Sequence, residues 1–160
     1  MRSRTLIAII FLGLIGVVFH GCYPKPVGPV GPEGKQLTWA EMNLEQRKAH
    51  MSQVIVPRAG AVFRSWRPDQ YQTINCTLCH GQNALKGNFH MPTAHLPRLS
   101  GELLLGPEFE KYPKTTQLKL DQLVPPMSEA LGVKSFSIVT RSGFGCYSCH
   151  LGPNGPMFGN

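Results

Sequence analysis

The sequence predicts a small, mostly α domain with abundant loops, built from two pseudo-repeats of one helix–loop–motif unit. Three observations lead there. The chain has 160 residues, which suits one domain once a targeting segment is set aside. It holds 17 Gly and 14 Pro, which dilute helix and strand formers and argue against long regular sheets. The pattern Cys-x-x-Cys-His occurs at 76–80 and again at 146–150, each time downstream of an apolar stripe of helical period.

The amino terminus comes first. Met1 to Arg4 is a short basic head, Thr5 to Phe19 is an uncharged apolar run, and His20-Gly21-Cys22 follows. This is the layout of a secretory signal over 1–21, with an apolar run short of the roughly 20 residues that a membrane span needs. Cys22 resembles the lipid-attachment cysteine of bacterial lipoproteins. Gly21 fits that pattern, whereas His20 and Phe19 depart from it. An uncleaved anchor and an incidental cysteine are the alternatives. Lipidation or an uncleaved anchor would place the folded part on the periplasmic side of the cytoplasmic membrane. Residues 22–37 are rich in Pro and Gly and read as an extended, semi-stiff tether.

The domain proper is expected over 38–160, with pseudo-repeats at about 43–100 and 115–160. Thr38 with Glu41 and Asn43 with Gln46 are both helix-start signatures. Met51, Ile55, Ala59, Val62 and Trp66 then recur at helical spacing, and Pro57 should kink or break this helix. In the second unit Leu120, Leu123, Val124, Met127 and Leu131 form a similar stripe, interrupted by Pro125 and Pro126 and stopped by Gly132. Matching Pro57 to Pro125 or to Pro126 leaves the register between the units open by one residue. Residues 81–114 are broken by Pro92, Pro97, Pro107 and Pro113 and read as a loop that could wrap the first motif. The tail after His150 reads as a loose cover.

The two motifs carry the chemistry. Cys76 and Cys79, like Cys146 and Cys149, lie three residues apart, on one face of a helical turn. From there two thiols can add to the two vinyl groups of a haem. The histidine that follows, His80 or His150, then points its imidazole at the iron as proximal ligand. A four-cysteine zinc site, a redox dithiol, or two short disulfides would also use Cys-x-x-Cys pairs. None explains a histidine directly after both pairs in an exported chain. The reading is two covalently attached haems c filling the core of a loop-rich domain whose own side chains bury little.

The formal charge is +7, and from Cys22 onward 14 basic and 9 acidic residues remain. Haem propionates would bring the loaded protein close to neutral. The basic residues are also scattered rather than clustered, so nucleic-acid binding is not indicated.

Val56-Pro57, Cys76 to Gly81, Phe89-His-Met-Pro92, Val124-Pro-Pro-Met127 and Gly143 to His150 together resemble a group of small di-haem lipoprotein cytochromes of Gram-negative bacteria. The order of helix, turn and motif is more distantly similar to the multihaem cytochrome subunit of photosynthetic reaction centres. The resemblance covers residues 43–150. It implies a helical, haem-cored fold, electron transfer, redox partner proteins and a membrane contact through a lipid on Cys22.

Distal ligands decide between a sealed electron-transfer site and an open one. For the second haem the candidate is Met127, which lies 19 residues before Cys146, as in the upstream-helix ligands of the reaction-centre cytochromes. Its alternative is a core methionine, and Met157 is a rival ligand. For the first haem Met51, favoured by the repeat, and Met91, in a Met-Pro loop, are both candidates. His50, His90 and His95 would make a bis-His site. Phe63, Trp66, Tyr71 and Phe144 are expected to pack against haem faces and edges. The competing expectations are a small haem enzyme of peroxidase or nitrogen-oxide reductase type, with His90 or His95 as distal acid–base group, and a gas sensor or zinc protein.

Overall fold

The computed structural model describes residues 23–100, 106–137, 139–140 and 142–152. The segment read as a signal, Cys22 and Met157 lie outside them. The fold is mixed: about 48% is helical and a small two-stranded antiparallel sheet joins the helices, so it is less purely α than expected. Among the described residues no helix is long and apolar enough to cross a membrane.

The segment read as a tether is folded onto the domain. Strand β1 (Pro26–Val30) pairs antiparallel with β2 (Gln36–Thr38), with an irregularity in register between Pro26 and Val30. Pro26 and Pro29 are tolerated because a two-stranded sheet is all edge. The hairpin is tied to the second repeat where Lys25 N–H donates to Gly132 O at 2.7 Å. Gly132 has φ of +65°, and a Cβ there would lie 2.2 Å from Lys25 O, so glycine is required on both counts.

Helix α1 (Leu44–His50) starts at a capping box. Asn43 Oδ1 accepts from Gln46 N–H, and Gln46 Oε1 accepts from Asn43 N–H, both at 2.9 Å. The Thr38–Glu41 signature makes similar bonds, with Thr38 N–H and Oγ1–H donating to Glu41 Oε2 at 2.7 Å, but it closes the end of β2. From α1 the helical path continues through a π segment, Met51–Ile55, into α2 (Val56–Trp66). Pro57 explains the widened turn: it has no N–H and its ring crowds the carbonyl four residues back. Proline thus widens this helix without breaking it.

The second unit repeats the device. After α3 (Cys76–His80) and α4 (Pro107–Lys111), helix α5 (Pro113–Leu118) runs through a π segment, Lys119–Leu123, into α6 (Val124–Ala130). Val56 N–H donates to Met51 O, and Val124 N–H donates to Lys119 O, each five residues back. This matches Val56-Pro57 to Val124-Pro125 and fixes the register that the prolines alone left open. Gly132 stops α6, with its N–H on Glu129 O and the Val133 N–H on Ser128 O.

The repeats pack on each other through α2 and α6. Ile55, Ala130 and Leu131 form the buried centre, flanked by Trp39, Met51, Val54, Met127, Val133 and Phe144. His50 crosses between the units: its Nε2–H donates to Ala130 O at 2.7 Å, and its ring meets Trp39 edge-on. The side-chain core is thin. Among the described residues seven hydrophobic side chains are buried, and the largest side chain with almost no exposure is Ser128.

Candidate functional site

Each motif sits in a short turn with its own cap. Asn75 caps α3, its Oδ1 accepting from Thr77 N–H at 3.1 Å and from Thr77 Oγ1–H at 2.7 Å. Gly81 ends α3 with φ of +71°, where a Cβ would meet His95 Cβ at 2.7 Å. The second motif differs locally. Cys146–Ser148 is a 3₁₀ turn, Ser148 Oγ accepts from Gly145 N–H at 3.0 Å, and His150 N–H closes onto Cys146 O at 2.9 Å.

One segment, residues 89–99, runs behind both motifs. Near the first, the Phe89 ring stands edge-on to His80 at 5.5 Å between centroids and 86° between planes. At the second, Thr93 N–H donates to Cys149 O at 3.2 Å and Leu99 N–H to Leu151 O at 2.8 Å. The His150 ring bonds the same segment through Nδ1, 2.8 Å from Pro97 O. A carbonyl can only accept, so Nδ1 carries the hydrogen and the neutral ring keeps Nε2 bare. Histidines that hold a metal through Nε2 are set up in this way by a backbone carbonyl on Nδ1. His80 Nδ1 is buried without a hydrogen-bond partner of good geometry.

Electrostatics link the motifs. Burial pushes the Cys149 thiol up to about 12, helped by the nearby Cys79 and Cys146 sulfurs and opposed by Lys119. Burial also raises Cys79, again against Lys119. Lys119, the first residue of the second π segment, is therefore within electrostatic reach of both motifs. Burial lowers the pKa of both His80 and His150; the Phe89 backbone and the Pro97 carbonyl respectively pull the other way. Both imidazoles are thus held toward the neutral form that binds a metal. On Glu108, burial acts upward but is outweighed by its own backbone and by Ser100, whose N–H and Oγ–H donate at 2.6 and 2.9 Å, so its pKa falls.

Among the described residues no three His, Cys, Asp or Glu side chains are gathered as a bare metal ion would require. A haem needs no such cluster, because the porphyrin supplies four nitrogens and the protein only axial ligands. The donor set fits that demand: each motif offers two thiols and one histidine, and His150 presents Nε2.

The other candidates fall apart into groups. Met51 and Met127 both pack against the Ile55, Ala130 and Leu131 cluster. The π-segment register pairs Met51 with Lys119 and Met127 with Ala59, so the repeat does not support Met51 as the counterpart of Met127. Met91, His90 and His95 lie in the segment behind the motifs. His50 is committed to Ala130. Phe63, Trp66 and Tyr71 pack on one another, at 5.0 Å for Phe63–Tyr71 and 6.0 Å for Trp66–Tyr71. Sequence reasoning missed Asn75, Phe89, Pro97 and Lys119. Asn75 was readable as a helix cap before Cys76. Pro97 acts through its main-chain carbonyl, which no residue type announces.

No family model, curated protein or solved structure matches the chain.

Proposed function

We propose that this chain is an exported electron-transfer protein with two covalently bound c-type haems. Cys76, Cys79, Cys146 and Cys149 form the thioethers, and His80 and His150 are the proximal ligands. The observation that carries the reading is the bond from His150 Nδ1–H to Pro97 O, which leaves Nε2 presented beside a Cys-x-x-Cys pair. The thin side-chain core supports it as well, since a small domain gains from large apolar plates tethered inside it. When bound, each haem supplies a reversible one-electron iron couple.

The residues divide the remaining work. The 89–99 segment backs both proximal rings and fixes their spacing. Lys119 sets a positive charge between the motifs, which favours the reduced state of nearby iron. Met127 on α6 is the distal ligand of the second haem. Cys22 carries a lipid that holds the domain to the periplasmic side of a membrane, within reach of redox partner proteins. The test is a potentiometric titration of the mature protein followed by absorbance. Two reversible one-electron steps per chain support the reading. An absence of reversible redox change in the visible bands removes it.

A further inference from the structure

The helices upstream of the two motifs share one device but differ at a position that matters for the iron. Both helices carry a five-residue π segment followed directly by Val-Pro, so they align residue by residue. Three residues past each valine stands Met127 on α6 and Ala59 on α2. Ala59 has no donor atom and is buried, 5% exposed.

The remaining residues near the first motif do not make up the difference. Phe89 packs directly on His80, so the loop through His90 and Met91 stands on the proximal side of that iron. Two residues past Met91, Thr93 N–H bonds Cys149 O at 3.2 Å, so the chain that carries Met91 runs from His80 toward the second motif. His95 packs against Gly81, next to His80, on that same side. His50 spends Nε2 on Ala130, and Met51 aligns with Lys119, not with Met127, in the register of the π segments.

We propose that the two irons differ at the sixth position: Met127 closes the second, while the first is open and binds a neutral diatomic ligand. This rests on the di-haem reading above. The site would take carbon monoxide or nitric oxide on the ferrous iron as a simple coordination, with no bond broken and no redox partner consumed.

The experiment is carbon monoxide titration of the reduced, haem-loaded protein, with a pyridine haemochrome count on the same sample. The expected result is two haems and one carbon monoxide per chain. Met127→Leu, which keeps an apolar side chain in the core, should raise the carbon monoxide stoichiometry to two. Met51→Ala should leave it at one. Two haems with no carbon monoxide bound in the wild type overturns the inference, because a side chain then closes the first iron. Two haems with two carbon monoxides in the wild type overturns it too, because Met127 then closes nothing. A count below two haems overturns the di-haem reading itself, whatever the gas titration shows.

Discussion

Replacing His50 by leucine removes the bond that ties the first repeat to the second. His50 is 8% exposed, and its Nε2–H reaches Ala130 O at 2.7 Å across 80 residues of sequence. Losing the donor strands a buried carbonyl, which costs about 1–3 kcal/mol. The edge-on contact with Trp39, 6.0 Å between centroids at 60°, adds about 0.5–1.5 kcal/mol. Leucine fills much of the space, so the cavity contribution is small and the total is about 2–4 kcal/mol. At about 3 °C per kcal/mol for a chain of this size, the melting temperature should fall by about 6–12 °C. Circular dichroism of the haem-loaded protein reads this directly, and the visible spectrum on the same sample should not move. A melting temperature within about 2 °C of wild type would refute the cross-tie. A changed low-spin spectrum would refute the assignment of His50 to structure and make it an iron ligand.

Gly132→Ala puts a Cβ 2.2 Å from Lys25 O in a left-handed backbone. It should destabilise by about 2–4 kcal/mol and release the hairpin, seen as faster amide exchange over 26–30. Glu41 titrates below its ordinary value of 4.5 because Thr38 hydroxyl and N–H donate to it. A depressed carboxylate stabilises above its unfolded pKa, and that contribution fades as pH falls through the folded value. Glu41→Gln should therefore flatten the loss of stability on acidification below pH 4.5, measured by melts across that range. In haem-free chain the half-buried Cys149 thiol, pushed up to about 12, should alkylate far more slowly at neutral pH than the exposed Cys76, resolved by peptide mass mapping. Equal rates would contradict the burial of the second motif.

Much of this architecture was legible in the residues. The Asn43–Gln46 box, the Gly132 stop and the two Cys-x-x-Cys-His motifs each appear where the pattern puts them. Local chemistry fixes those features, so local sequence reports them. The misses have a common cause in tertiary context. Pro26 and Pro29 read as tether because proline cannot sit in a central strand, yet an edge hairpin accepts it. Pro57 and Pro125 read as kinks, and the chain answered with a wider turn, which the i→i+5 bonds at Val56 and Val124 record. Thr38–Glu41 carried the same signature as Asn43–Gln46 and was captured by a strand end. The role of the 89–99 segment was hidden because its key contact, the Pro97 carbonyl, belongs to the main chain. Cys22 and Met157, both named from the sequence, lie outside the described residues.

The most direct test of the central claim is the intact mass of the mature protein, made with a cytochrome c maturation system and measured under denaturing conditions. The expected mass is the polypeptide plus two haems, falling to one haem when Cys76 and Cys79 are both replaced by serine and to one when Cys146 and Cys149 are. A mature chain of bare polypeptide mass, with its four motif cysteines free or bound to zinc, would contradict it.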